Sequence, residues 1–398
     1  MKENVSAINN RCDICDSNNW LKLPDPVKSQ SVTTSGKIIP QPLGKSLCSE
    51  CGFVQRNRFL FLGHGEYYQE EYASYYDRPG TEEYHRKRYQ GLLEWMSKYL
   101  PEKFKLKTVL DVGCGQGWMM DAFLSGYHQI DIRGIEPSKH NANIARRKGH
   151  TIIETKIEHS DINETFDLVY SNNVLQHVND ITGFFNDMKM RLNDHGSIIV
   201  TCPDGSRPSI DLLWSDHNHS FLPQHLVELG RKLGFERVFV TQSEGNNPSI
   251  PPAQLLLMSN NPVFSEADFK ESLIPEKEIN HYYESKVEYL QSFRNLNKYL
   301  AKRISGYSKV YNFGASYWTS VIAAYCPDYW NRVEACVIDV SDSVNDGFMG
   351  KKIVDLKSLS KTDQNVIVLG TAPNTHEWLV DKLQDHSKII RWDNFFLY

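Results

Sequence analysis

Val109-Leu110-Asp111-Val112-Gly113-Cys114-Gly115-Gln116-Gly117 decides how this chain folds. A short apolar run ends in Asp111, three glycines follow at alternate positions, and Trp118, Met119, Met120 and Phe123 open an amphipathic stretch. The pattern predicts a buried strand, a tight turn and the first turns of a helix. Glycines suit such a turn because they accept left-handed backbone angles and let a ligand lie against bare main chain.

The residues downstream narrow the reading. Twenty-five positions beyond Asp111, a second apolar run, Ile132-Arg133-Gly134-Ile135, ends in Glu136. A carboxylate at the tip of the second strand accepts two hydrogen bonds from ribose hydroxyls in doubly wound nucleotide folds. A helix over 138–148 and a strand over 151–155 follow, then Lys156-Ile157-Glu158, and Phe166–Tyr170 as a fourth strand entering a loop that holds Asn172 and His177. This order of motifs resembles class I S-adenosylmethionine (SAM)-dependent methyltransferases. A nicotinamide site asks for Gly-x-Gly-x-x-Gly spacing, which Gly113, Gly115 and Gly117 do not keep. The resemblance implies an α/β Rossmann-like core. In it Asp111 and the three glycines cradle the amino-acid portion of SAM, Glu136 holds the ribose, Lys156 and Ile157 flank adenine, and Asn172 lies near the methionyl group.

Length and composition bound the alternatives. The 398 residues suggest two or three domains, with 40% hydrophobic and 23% charged residues, as in ordinary globular proteins. A net charge of −5 with no long basic run disfavours a nucleic-acid partner. No stretch approaches the roughly 20 apolar residues of a membrane span, and the first residues lack the apolar core of a secretory signal. The expectation is a cytoplasmic protein.

Four of the eight cysteines form two Cys-x-x-Cys pairs, Cys12/Cys15 and Cys48/Cys51. Two such knuckles supply four thiolates for tetrahedral, structural Zn2+, with no open position for catalysis. Gly52 permits the turn that the second knuckle needs, and the 32-residue insert closes as a small lobe. A redox role is the rival, but no thioredoxin-like pattern accompanies the pairs. The other four, Cys114, Cys202, Cys326 and Cys336, read as small buried residues.

The chain then divides into a zinc-binding lobe (1–60), a tyrosine-rich helical arm (61–100), the methyltransferase core (101–260), a helical linker (261–305) and a C-terminal α/β domain (306–398). The arm carries Tyr67, Tyr68, Tyr72, Tyr75, Tyr76, Tyr84, Tyr89 and Tyr99 among acids such as Glu66. It suggests a lid and a helix over the cleft, most rings packing and one or two lining the pocket. Within the core a helix is expected over 180–192, strands over 196–202, 235–241 and 254–258, a helix over 223–233, and a breaker-rich connection over 245–252. The last domain is expected to hold strands over 310–316, 335–339, 364–370 and 388–391, with helices through Tyr325 and over 376–384. It resembles a nucleotide-binding half-domain with one loop glycine in place of three, and a scaffolding role competes with a binding one.

Taken whole, the order of elements resembles the zinc-containing SAM-dependent C-methyltransferases that act on nucleotide-linked keto-deoxysugars. Their Asn-Asn-Val-Leu-x-His-Val loop is matched by Asn172–Val178. Their Tyr-His-Glu-His block reads Trp214-Ser215-Asp216-His217 here, and a following Phe-Ser pair becomes Phe221-Leu222. The likeness implies a nucleotide-sugar acceptor between core and C-terminal domain. Methylating carbon requires removal of a proton beside a carbonyl and a hold on the resulting oxyanion. His217 is the expected base, oriented by a carboxylate such as Asp216. His177 then stabilises the enolate or places the sugar, and His219 competes with His217. Sugar O-methylation is the alternative reading, and a non-catalytic SAM-fold scaffold protein a third.

Overall fold

The computed structural model describes residues 11–60, 67–72, 82–243, 252–264, 279–339, 347–360, 362–383 and 387–396. Tyr75, Tyr76, Glu66, nearly all of the 245–252 connection, residues 265–278 of the expected linker and Gln384 lie outside the described residues, and residues 261–264 of that linker form a turn rather than helix.

The N-terminal lobe is built from short strands, β1 (Trp20–Lys22), β2 (Ser31–Val32), β3 (Ile38–Ile39), β4 (Lys45–Cys48) and β5 (Val54–Arg56). Both cysteine knuckles turn the same way. The residue after the second cysteine takes a left-handed conformation, Asp16 at φ 61° and Gly52 at φ 80°. Its N–H donates to the carbonyl of the first cysteine, Asp16 to Cys12 and Gly52 to Cys48, each at 2.9 Å. Glycine is free of the Cβ penalty there, and aspartate is among the few other residues that tolerate the region.

After helix α1 (Glu82–Ser97), the core alternates β6 (Thr108–Val112), α2 (Trp118–Gly126), β7 (Asp131–Ile135), α3 (Lys139–Arg147), β8 (Thr151–Ile153), β9 (Phe166–Asn172), α4 (Ile181–Met190) and β10 (Leu192–Pro203). A two-residue strand, β11 (His219–Ser220), precedes α5 (Pro223–Lys232), β12 (Arg237–Gln242) and β13 (Ala253–Ser259). Seven of these strands form one sheet in the order β12-β13-β10-β9-β6-β7-β8. All pairings are parallel except those of β13, which runs antiparallel between β10 and β12. Parallel strands covered on both faces need apolar runs, and β10 supplies one in Ile198, Ile199 and Val200, all fully buried. Strand order reverses between β6 and β9, so the fold's crevice opens outside the carboxyl ends of those two strands.

The 26-residue helix α6 (Ile279–Ile304) leads into a second sheet. Strands β14 (Lys309–Phe313), β15 (Val333–Ile338), β16 (Lys352–Asp355), β17 (Asn365–Leu369) and β18 (Lys388–Ile390) are all parallel, in the order β16-β15-β14-β17-β18. Helices α7 (Tyr317–Tyr325), α8 (Pro327–Trp330) and α9 (His376–Leu383) connect them. Strand β16 is absent from the sequence reading because only Ile353 among its four residues is buried, so no apolar run marks it.

The lobe does not stand apart. Leu47 and Val54 share one apolar cluster with Leu213 and Leu222 of the core, Phe293 of α6 and Tyr325 of α7. The lobe's sheet runs β1-β4-β5-β11, and its last strand belongs to the core segment that follows His217. Among the described residues no helix is long and apolar enough to cross a membrane.

Candidate functional site

The crevice holds a cavity of about 440 Å³. Its floor is the glycine turn. The N–H groups of Gly113 and Cys114 both donate to the Ile135 carbonyl, at 2.7 and 3.0 Å, folding the turn onto the end of β7. A methyl group added at Gly115 would meet nothing within 4 Å, whereas one at Gly113 would strike Val174 at 2.3 Å. Main chain is therefore open to a ligand at Gly115, and Gly113 is needed for close packing. Gly117 caps α2 in the left-handed region and packs toward His150 and Ala145. Asp111 is buried behind the turn. Neither Asp111 nor Gly117 lines the cavity, while Gly113, Gly115, Glu136, Lys156, Ile157 and Asn172 do.

Glu136 is buried at the tip of β7, its Oε2 accepting from Gly115 N–H and its Oε1 from Ser138 N–H, both at 2.8 Å. The carboxylate thus fixes the glycine turn as well as facing the cavity. Burial, reinforced by the charge of Glu136, pushes the Asp111 carboxyl up to about 8, and its Oδ2 has no hydrogen-bond partner among the described residues.

The arm closes one side. Tyr68, Tyr72 and Tyr89 line the cavity with His85, Arg88 and Trp118, more rings than the sequence led us to expect. The wide helical turn Tyr67–Glu71 is tied down from two directions. Glu71 pairs with Lys37 of the lobe, Glu70 pairs with Lys139 of α3, and Ser138 Oγ donates to the Tyr72 carbonyl at 2.9 Å. Tyr317, the first residue of α7, reaches the same cavity from the C-terminal domain. The family resemblance implies that this domain borders the acceptor, but it does not single out Tyr317.

The histidines divide differently from the sequence expectation. His177 lines the cavity and His217 does not; His217 packs edge-on against His177, ring centres 4.6 Å apart. His177 Nδ1 lies 2.7 Å from the Asp216 carbonyl oxygen and 2.9 Å from the Tyr68 hydroxyl. A carbonyl only accepts, so Nδ1 carries the proton and Nε2 is the basic nitrogen. Burial holds the His177 imidazole below its ordinary value, opposed by the Asp216 carboxylate. His217 is held further down, by burial and then by the positive fields of His177 and Lys45.

Asp216 does not orient His217. Its carboxylate accepts from Thr34 N–H at 2.8 Å and Thr34 Oγ1 at 2.5 Å, with the Tyr67 hydroxyl at 3.4 Å. The carboxylate beside His217 is Asp211, with Oδ1 at 3.5 Å from Nδ1. Asp211 lies in the short helical turn Ile210–Leu213 and Asp216 in the turn that follows, where its carboxylate is taken up by Thr34 of the lobe. His219 faces the other way, 3.4 Å from Asp13 of the first knuckle and stacked on Phe53.

Residues 84–239 match the family model described as a methyltransferase domain. The chain carries a class I SAM-dependent methyltransferase domain. Among curated proteins it is similar to the ubiquinone biosynthesis O-methyltransferase of Bradyrhizobium sp. (strain ORS 278), 33% identical over 99 residues, and to that of Rhodopseudomonas palustris (strain BisB5), 33% identical over 98. Each alignment covers 23% of this chain and spans only 38% of the relative's length. Among solved structures, a SAM-dependent methyltransferase from Thermotoga maritima described as a possible histamine N-methyltransferase aligns at 22% identity and a TM-score of 0.38, covering 44% of this chain and 90% of that one.

The methyltransferase domain takes SAM as methyl donor, and the cavity suits it: a turn open at Gly115 beside a buried acid. The four knuckle cysteines likewise suit zinc. Their sulfurs all lie within 4.8 Å of one another, with Cys12–Cys51 and Cys15–Cys48 at 3.6 Å. That is far too long for a disulfide and close to the roughly 3.8 Å edge of a tetrahedron with zinc–sulfur bonds of about 2.3 Å.

Substituting Glu136 by Ala should weaken SAM binding roughly ten- to a hundredfold, the worth of hydrogen bonds to a charged group. Calorimetric titration of the variant checks this, and unchanged affinity would remove Glu136 from the donor site.

Proposed function

We propose that this protein is a cytoplasmic SAM-dependent C-methyltransferase acting on a nucleotide-linked keto-deoxysugar, with structural zinc in its four-cysteine lobe. The observation that carries this reading is the shared cavity. One wall is the donor turn, another is His177 with Tyr68, and a third is Tyr317 at the carboxyl end of a second parallel sheet. Ligands of such sheets lie outside the carboxyl ends of the strands, where strand order reverses. In the C-terminal sheet that point falls between β14 and β17, at Gly314 and Gly370. A nucleotide held there points its sugar toward the donor turn.

SAM supplies an electrophilic methyl group. The chain's part is to make the acceptor carbon nucleophilic. In this reading His177 Nε2 removes the proton beside the keto group, while the Asp216 carbonyl holds Nδ1–H and so fixes the tautomer. The Tyr68 hydroxyl steadies the oxyanion. His217 and Asp216 support His177 from behind. Glu136, Gly113, Gly115, Asn172, Lys156 and Ile157 hold the donor, with Asp111 and Gly117 shaping its turn.

Sugar O-methylation is the second reading, favoured by the O-methyltransferase activity of the curated relatives. A screen of nucleotide-linked sugars with labelled SAM, repeated in heavy water, separates the two. C-methylation exchanges the proton next to the keto group before or during turnover, and O-methylation leaves it in place. Transfer only to a hydroxyl would overturn the first reading.

A further inference from the structure

Two buried cations of the lobe face each other across the β4–β5 pair, where Lys45 is the register partner of Arg56. Both are almost wholly buried, at 2% and 1% exposure, and a buried charge needs compensation. They find it in different places. Arg56 turns back into its own lobe, donating from Nε to the Leu43 carbonyl at 2.9 Å and from Nη2 to the Pro42 carbonyl at 3.2 Å. Lys45 turns out of the lobe to the core, its Nζ 3.4 Å from the Asp211 carbonyl oxygen. Asp211 in turn holds its Oδ2 on Ser209 Oγ at 2.9 Å and presents Oδ1 to His217 Nδ1. His217 closes the series with its ring against His177.

We propose that Lys45 and Asp211 are positioning residues for the His217–His177 pair, the aspartate fixing the His217 ring and the lysine balancing its charge. The proposal rests on the reading of His177 as the base. Burial, with the repulsion of Arg56, lowers the Lys45 ammonium to about 7, so it is charged over the acid range where the histidines titrate. The groups that face His177 are Asp216, Asp211, Lys45, His217 and Tyr68. Lys45 opposes protonation of the ring, and Asp211 and Asp216 favour it. The lobe is thereby more than a brace. It carries a charge into the site.

The test uses full-length zinc-loaded protein with isotopically labelled histidine and no methyl acceptor, the His177 signal being identified by its loss in H177N. In K45M the His177 ring should titrate about half to one pH unit higher than in wild type, because a repelling charge has gone. K45R should stay near wild type. In D211N the same ring should titrate lower, because an attracting charge has gone. D211N also guards against a K45M variant that does not fold. With an acceptor in hand, the acid limb of the rate profile should move with the ring, up in K45M and down in D211N, with KM for SAM unchanged. A His177 titration within about 0.2 unit of wild type in both folded variants would overturn the proposal. The titration needs no acceptor, so an error about the sugar leaves it untouched.

Discussion

Replacing His177 by Asn will lower kcat by about a thousandfold, within the 10²–10⁴ range typical of a lost general base, while SAM affinity changes by no more than a few-fold. Asparagine keeps an amide donor for the Asp216 carbonyl, so the loop is preserved and only the basic Nε2 is removed. His217→Asn made in parallel will cost less, since that ring stands behind His177 and off the cavity wall. The reverse ranking would move the base to His217. The pH profile carries the same argument with its sign. A base works when unprotonated, and burial holds the His177 pKa below its ordinary value. Activity should therefore rise through a point on the acid side of 6.5 and then level off. A limb above neutral pH would point to another group.

The second large effect concerns the lobe. Stripping the metal with a strong chelator, or substituting Cys48 by Ser, should lower the thermal transition of the protein and silence the enzyme together. Structural zinc contributes apparent binding free energies of about 10–16 kcal/mol in small metal-folded modules. The lobe has five strands of no more than four residues each, a poor core of its own. Metal analysis should return one zinc per chain in the native protein and none in the variant. Finding no metal in the native protein, with melting unchanged in the variant, would refute structural zinc. Donor binding should survive in part, because the glycine turn and Glu136 belong to the large sheet.

Much of this was readable in the chain before any coordinates. The donor turn announces itself because its strand is buried on both faces and its glycines hold left-handed backbone angles, φ 76° at Gly113 and 55° at Gly115. Acids at strand ends and cysteine pairs two residues apart are likewise local signals. The rest was not local. The exchange of partners between Asp211 and Asp216 depends on a helical turn followed by a tight turn over 210–216, which aims one carboxylate at His217 and the other at Thr34. Tyr317 meets the donor cavity only because a domain 200 residues downstream folds back on it. Nothing in the stretch Gly44-Lys45-Ser46 marks Lys45 as a site residue, and only its burial against the core reveals it. Strand β16 is short and largely half-exposed, leaving no pattern to read.

The pairing of β5 with β11 has a consequence for how such a protein changes by recombination. A crossover at residue 60 would look harmless in the primary structure, yet it would unzip a hydrogen-bonded ladder whose other rail follows His217 by two residues. Chimeras that inherit residues 1–60 and 204–222 from one parent should mature normally, and those that inherit them from different parents should not.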